Sequence, residues 1–432
     1  MSELRVEMHG ELIGRLVGSG DSFDFVASRD AIRAHGLGSV VLSVAVPLLP
    51  RASPRSKELR KNFFSELLPE GAARTRLADE ARVPNGDTCG MLRAYGRDVA
   101  GALQIWDPAD PVEPLQPGIE MLDERGVERM LREVAISPLG NKPRRGKTSL
   151  NGVQSKIVLV KTPDGWARAL DGYPSTHIVK PIVAQHPTMI FDEEYGSRFA
   201  RGLGLAVFDT HLSRFNDTFA LVVTRYDRDD TATDGRIHQE DFNQVLGLSG
   251  DQKYETYGGR GLRDIAKQLS DSDRQSLLKM TTLSVALGNL DMHAKNVSLL
   301  HRMDGSTCLA PMYDVVPQAH QDNDGELAFH VDGEFAHRLV TRHHLIAEGA
   351  SWGLRYASIL VDSALADIRR IAAQERPDAG AHPNLQYDVL GFTDNLLAGR
   401  ATRDDGDGLF DPNAPGQRRP DGGWTWVNPQ VL

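Results

Sequence analysis

Asn289-Leu290-Asp291-Met292-His293-Ala294-Lys295-Asn296, followed by Met312-Tyr313-Asp314-Val315, is the pair of segments on which the reading of this 432-residue chain turns. An aspartate with an asparagine five positions on is the spacing of a phosphoryl-transfer loop. There the carboxylate accepts the proton of an attacking hydroxyl and the amide oxygen ligates a metal ion. Asp291 and Asn296 fit those places. Magnesium takes hard oxygen donors and is usually shared between one or two carboxylates and nucleotide phosphates, so a second acid has to arrive nearby. Asp314 is placed to be that acid. Val297-Ser298-Leu299-Leu300 and Leu309-Ala310-Pro311-Met312 read as short strands around the polar turn Asp304-Gly305, a hairpin that brings Asn296 and Asp314 together. Either aspartate alone would be read as a helix cap or a turn residue. It is the pair that points to ATP and Mg²⁺.

Phosphoryl transfer also needs a cation on the phosphates. Ser175-Thr176-His177-Ile178-Val179-Lys180-Pro181 is a β-branched run ending in Lys180, and Asp192-Glu193-Glu194-Tyr195 opens a helical pattern from which Glu194 is expected to face that lysine. Upstream, Gly140 to Thr148 imitates a Walker A loop but is one residue too long, and it runs into a strand, Ile157-Val158-Leu159-Val160, where a P-loop would open a helix. The better description is a loop, Lys147 to Lys156, that covers phosphates with backbone amides and small side chains.

Taken together these segments resemble the HipA serine/threonine kinase toxins of bacterial toxin–antitoxin modules. The resemblance spans nearly the whole chain. It is carried by Phe63-Phe64 with Leu67-Leu68-Pro69, Gly96-Arg97-Asp98 with Gly101-Ala102, Ser149 to Lys156, Thr176 to Lys180, Arg225-Tyr226-Asp227-Arg228, Gln239-Glu240-Asp241, Lys253-Tyr254-Glu255 with Gly258-Gly259, Asp291 to Asn296 and Tyr313-Asp314. It implies that Asp291 is the catalytic base, that Asn296 and Asp314 bind magnesium, and that Lys180 contacts phosphate. The ATP contacts it implies are Asn151, Gly152, Val153, Gln154, Ser155 and Lys156 in the covering loop, Thr224, Arg225 and Tyr226 at the adenine hinge, and His293, Ala294, Lys295, Asn296, Tyr313 and Asp314 beside the nucleotide. Ser149 matches the serine on which such kinases phosphorylate themselves, a change that would re-pair Arg145, Lys147 and Lys156 with a dianion and pull the loop away. Two departures stand out: Thr224 lies where an acid is expected at the hinge, and Ser155 replaces an acid and adds a second phosphoacceptor. The resemblance also implies a HipB-like helix-turn-helix antitoxin, operator DNA bound through that antitoxin, and a protein substrate such as glutamyl-tRNA synthetase or another aminoacyl-tRNA synthetase.

The fold class expected is α+β: a two-lobed, protein-kinase-like fold with an N-terminal β-rich subdomain and a mainly helical C-terminal lobe. Residues 1–107 form the β-rich subdomain, closed by a linker at Pro108, Pro111, Pro114 and Pro117. Residues 120–228 form the nucleotide-binding lobe, 229–400 the helical catalytic lobe and 401–432 a polar tail that contains Trp424 and Trp426. A net charge of −10 argues against non-specific nucleic-acid binding, so DNA would be met through a local patch or a partner. With Cys89 and Cys308 as the whole cysteine content there is no disulfide framework, which suits a reducing cytoplasm. The start of the chain alternates polar and apolar residues like a strand, and Val40 to Leu49 is too short to span a bilayer, so neither export nor membrane insertion is expected. His343-His344 lacks partners at zinc spacing. Two rival functions share parts of this pattern: a small-molecule phosphotransferase of the aminoglycoside or choline kinase type, and an inactive corepressor scaffold.

Overall fold

Leu4, Val6 and Met8 are buried while Glu3, Arg5 and Glu7 keep solvent contact, the period-two pattern of a half-buried strand. That strand, Ser2–Met8, pairs antiparallel with Glu11–Ser19 and with Leu103–Trp106, and Ser22–Ala27 completes a four-stranded sheet. The helix Lys57–Ser65 lays Phe63 and Phe64, both fully buried, into the same core; Phe64 lies 5.4 Å from Phe25 and edge-on to Phe63 at 5.0 Å. Each such ring contributes roughly 1.5–3 kcal/mol by leaving water.

These coordinates are a computed structural model, which describes residues 2–51, 53–142, 145–152, 154–232, 234–302 and 304–403. Val153 of the covering loop and nearly all of the 401–432 tail, Trp424 and Trp426 included, lie outside the described residues. The chain divides into two compact units: residues 1–183, 208–253 and 297–310 form one, and residues 184–207, 254–296 and 311–432 the other.

Besides its four-stranded sheet, the first unit holds a six-stranded antiparallel sheet in the order Gly118–Leu122, Gly165–Leu170, Ile157–Thr162, His177–Pro181, Thr218–Thr224, Thr210–Phe215. The helix Glu124–Arg132 covers it. Asp123 starts that helix by accepting the Gly126 N–H at 2.7 Å, and Val127, Met130 and Leu131, at the spacing of one helical face, bury against Ile157, Leu159, Val179 and Val222. The proline-marked stretch after residue 107 is fastened to this unit, since Glu113, with a side chain only 2% exposed, takes a 2.9 Å hydrogen bond from Arg97. A third sheet pairs His238–Asp241 with Ser298–His301 and Ser298–His301 with Thr307–Leu309, the hairpin expected around Asp304-Gly305.

Helices dominate the second unit: Met189–Gly202, Asp271–Leu287, Arg342–Ser351, Ala357–Gln374 and Leu385–Leu397, with a small hairpin of Glu326–Val331 and Glu334–Ala336. Ser270 caps Asp271–Leu287 at its start, and Gly288 ends it in the left-handed region at φ +67°, where a side chain would also meet Ala319 Cβ at 2.6 Å. Position 288 therefore fixes the direction in which Asn289–Asn296 leaves the helix. In Arg342–Ser351, His344 completes a capping box with Thr341, which gives that histidine a structural use. Among the described residues no helix is long and apolar enough to cross a membrane. The architecture is α+β, with strands concentrated in the first unit and helices in the second.

Candidate active site

The loop after Gly288 is buried except at Asp291 and Asn296. Asn289, Leu290, Met292, His293, Ala294 and Lys295 are all buried, whereas the Asp291 side chain keeps 40% of its surface. Its backbone is fixed from both directions: the Asp291 N–H donates to Asn289 Oδ1 at 3.2 Å, and the Asp291 carbonyl accepts from the Asn296 side-chain amide at 2.8 Å and from the His293 N–H at 2.9 Å. With its nitrogen committed to that carbonyl, the Asn296 amide oxygen is the atom that could hold a metal. The carboxylate itself takes a hydrogen bond from the Tyr254 hydroxyl at 2.9 Å, and His293 Nε2 lies 3.9 Å away.

The second segment is tied directly to the first. Tyr313 donates its hydroxyl hydrogen to the Lys295 carbonyl at 2.7 Å, and the Met312 N–H donates to the Leu205 carbonyl at 2.8 Å. Asp314 then adopts φ +57°, a left-handed conformation uncommon for a residue with a side chain and one that recurs at functional sites. Immediately after it, Val315 is buried with its carbonyl against Gly196, where an added Cβ would stand 2.1 Å from that oxygen. Only a glycine lets the helix Met189–Gly202 come this close. On the same helix the Glu194 carboxylate is gripped by Arg198, through Nε at 2.9 and 3.0 Å and Nη2 at 2.7 Å, and Glu193 beside it is buried.

Among the described residues no group of three or more His, Cys, Asp or Glu side chains is placed to hold a metal. The donors that Asn296 and Asp314 offer, one amide oxygen and one carboxylate, are of the hard, few-ligand type that magnesium uses when phosphates complete its shell. Asn296 and Asp314 therefore fit Mg²⁺ and do not fit a structural transition-metal site.

In the first unit, Lys180 sits on the central strand His177–Pro181 opposite Leu221, 6% exposed, between buried Val179 and Pro181. The covering loop is held at its stem by Gly96-Arg97-Asp98. The Arg97 and Asp98 N–H groups reach the Lys147 carbonyl at 3.2 and 3.1 Å, Thr148 Oγ1 donates to Asp98 Oδ2 at 3.1 Å, and the Ser149 N–H donates to the Asp98 carbonyl at 2.9 Å. Ser149 is fully buried, its hydroxyl donating to the Leu67 carbonyl at 2.9 Å, whereas Ser155 is half-buried. Further along, the Asn151 side-chain amide donates to Asp241 Oδ2 at 2.8 Å and Lys156 Nζ to the Asn151 carbonyl at 2.9 Å; between them Gly152 takes φ +100° beside Lys156, and Gln154 is half-buried. At the hinge segment, the Thr224 and Arg225 N–H groups are engaged by the Asp209 and Thr176 carbonyls, both at 2.9 Å, and the Tyr226 hydroxyl donates to Gln239.

Two sets of residues escaped the sequence reading. The Arg225 side chain belongs to a buried ion cluster: it pairs with Asp227 at 2.9 and 2.7 Å and bonds Ser175 at 2.8 Å, while Arg228 bonds Asp98 at 2.8 Å. Burial by itself would raise the Asp227 carboxyl, but Arg225 and Arg228 outweigh it and hold the group well below the usual carboxylate range; Asp98 is lowered for the same reason. The signal was the alternation of arginine and aspartate at Arg225, Asp227 and Arg228, which gives the charges but not their burial. Tyr254 is the other, and a tyrosine in a polar stretch gives no local hint of an aspartate 37 residues on.

Models of two parts of one family match the chain: the HipA N-terminal domain over residues 4–106 and the HipA-like C-terminal domain over residues 148–374. The chain belongs to the HipA family. Its relatives include Y4mE of Sinorhizobium fredii, named for kinase activity and 34% identical over 71% of this chain and 75% of that one. They also include the serine/threonine-protein kinase toxin HipA of Shewanella oneidensis, 28% identical over 85% of this chain and 88% of that one. In fold the chain is similar to HipA of the Shewanella oneidensis MR-1 complex of HipA, HipB and operator DNA, with a TM-score of 0.72 and 24% identity over 91% of this chain and 96% of that one. Protein kinase activity goes with HipA-family membership.

Proposed function

We propose that this chain is an ATP- and Mg²⁺-dependent serine/threonine kinase that acts as the toxin of a two-protein toxin–antitoxin module. The observation that carries the reading is the Asp291 loop, a solvent-reachable carboxylate on a backbone fixed at both ends with the Asn296 amide bonded across it. In this role Asp291 accepts the proton of the attacking serine or threonine hydroxyl. Asn296 and Asp314 hold the metal by oxygen, which when bound neutralises charge on the transferring phosphoryl group. Lys180 supplies fixed positive charge to the phosphates. Asn151 to Lys156 cover them, with Val153 included on the strength of sequence, and His293, Ala294, Lys295 and Tyr313 flank the nucleotide. Because the N–H groups of Thr224 and Arg225 already serve the sheet, adenine is read by the carbonyls of that segment and by the backbone at Tyr226.

Phosphorylation of Ser149 belongs to the same proposal. A hydroxyl that is fully buried on the Leu67 carbonyl is reached only once residues 147–156 leave their place, so modification and loop release are one event. For the partners, the Shewanella complex makes a HipB-type antitoxin, and operator DNA contacted through it, the first ones to test, and the net charge of −10 agrees with DNA being met through the partner. An aminoacyl-tRNA synthetase is the acceptor to try first.

Intact mass and peptide mapping after incubation with Mg-ATP, beside Asp291→Gln, test the reading. A gain of one phosphate at Ser149 or Ser155, absent from the variant, supports a self-phosphorylating kinase. No gain in a chain that starts unphosphorylated and binds ATP transfers the case to a small-molecule phosphotransferase or to a kinase without self-regulation.

A further inference from the structure

We infer that Tyr254 is a positioning residue for the Asp291 carboxylate, setting the plane from which it receives the acceptor proton; the inference rests on the kinase reading above. The Lys253-Tyr254-Glu255 segment with Gly258-Gly259 has no chemistry of its own in that reading, yet it delivers a hydroxyl to the one exposed acid of the loop.

The tyrosine is mounted on a rigid turn. Its carbonyl accepts from the Tyr257 and Gly259 N–H groups, each at 3.2 Å, and Gly258 closes the turn at φ +85°. The adjoining Glu255 carboxylate accepts the His330 N–H at 2.9 Å and anchors the turn to the hairpin strand Glu326–Val331. From that base the ring stands edge-on to His293, centroids 5.2 Å apart at 79°, and His293 is itself buried in the loop. Ring and hydroxyl are thus both directed at the Asn289–Asn296 segment.

A carboxylate with a fixed backbone still turns about two side-chain bonds, and a general base has to place an oxygen within hydrogen-bond reach of the proton it takes. The Tyr254 bond to Oδ1, at 2.9 Å, fixes the carboxylate plane and with it the direction of the second oxygen. It also holds Oδ1 away from a closer pairing with His293, now 3.9 Å off. A phenol suits the task because it donates one hydrogen bond without adding a charge beside the phosphates.

The test is steady-state transfer of labelled phosphate from Mg-ATP to the chain itself and to dephosphorylated casein, with binding of a fluorescent ATP analogue in parallel. Tyr254→Phe keeps the ring on His293 and removes only the donor. The expected result is a kcat about ten- to a hundredfold lower, since a small misplacement of a reacting group costs that much, with the KM for Mg-ATP and nucleotide binding near wild type. Tyr254→His, which returns a ring N–H, recovers part of the loss, and it carries the same kcat-against-KM comparison should the Phe variant fold poorly. In combination with Asp291→Glu, whose carboxylate is already displaced, the Phe substitution costs much less than it does alone. Equal kcat in wild type and Tyr254→Phe, a parallel rise in KM for Mg-ATP, or losses that multiply in the double variant would each overturn the inference. These outcomes differ from failure of the kinase reading, in which wild type transfers phosphate to neither acceptor and both fall.

Discussion

Asp291 and Asp227 are both aspartates in polar runs of a few residues, and the molecule uses them in opposite ways. Asp291 keeps 40% of its side chain in solvent and accepts a hydrogen bond from the Tyr254 hydroxyl. Asp227 keeps 4%, is bracketed by Arg225 and Arg228, and also accepts the Gly101 N–H at 2.8 Å. In the proposed mechanism the first takes up a proton, and its exposure leaves it within reach of an acceptor. The second is spent on holding residues 98–101, 175 and 225–228 in one place, and it stays ionised because its neighbours are cations. Exposure separates the carboxylate proposed for chemistry from the structural one, whereas residue type does not.

Four changes would break or sharpen that contrast. The largest effect falls on turnover at Asp291. Asp291→Asn is expected to lower phosphoryl transfer by about 10²–10⁴-fold, the range for loss of a general base, while its denaturant midpoint stays near wild type. A parallel loss of stability would erase the distinction. Asp227→Ala does the reverse and leaves buried guanidinium groups without their counter-charge, at a cost of roughly 3–5 kcal/mol. Urea titration reads it, and the fraction that remains folded should still bind nucleotide.

Acid should separate the two classes as well. Asp98 and Asp227 have carboxyl values depressed in the folded chain, so their contribution is fully present above the ordinary unfolded value of about 3.9 and is lost as pH falls through the lower folded values. Wild-type stability should therefore hold down to about pH 5 and fall steeply below about pH 4, with a shallower acid slope in Asp227→Asn. Denaturant midpoints across that range check the sign, and equal slopes would mean the cluster is not ionised in the way its arginines dictate. The smallest expected change is Gly288→Ala, which forces a side chain into a left-handed conformation beside Ala319, costs about 1–3 kcal/mol and lowers kcat by tilting the loop. An unchanged kcat would show that the loop is placed by its own hydrogen bonds and not by the helix end.

Where a feature is local, it could be read along the chain. The hairpin around Asp304-Gly305 and the opening strand follow from turn residues and apolar period, and the structure has them with shifts of a few residues at the ends. Glu194 was expected to face Lys180 from pattern alone, and its carboxylate is held by Arg198 one turn along the same helix, a partner the same spacing rule would have offered. Arg225 was read for its backbone, yet its side chain closes the ion cluster, because three of its partners come from sequence positions more than 40 residues distant.

By itself the sequence determined the family and the kinase-type α+β fold, and it singled out the acid, amide and lysine proposed here for phosphoryl transfer. Those are matters of residue type and short spacing, which the covalent chain sets directly. Only the tertiary structure decided which acid is exposed and which is locked between arginines, that Ser149 is buried on the Leu67 carbonyl, and that Tyr254 reaches Asp291. Such facts depend on burial and on partners far apart in the chain. Both alter the free energy of a charge or a hydroxyl by several kcal/mol while leaving no trace in the neighbouring residues.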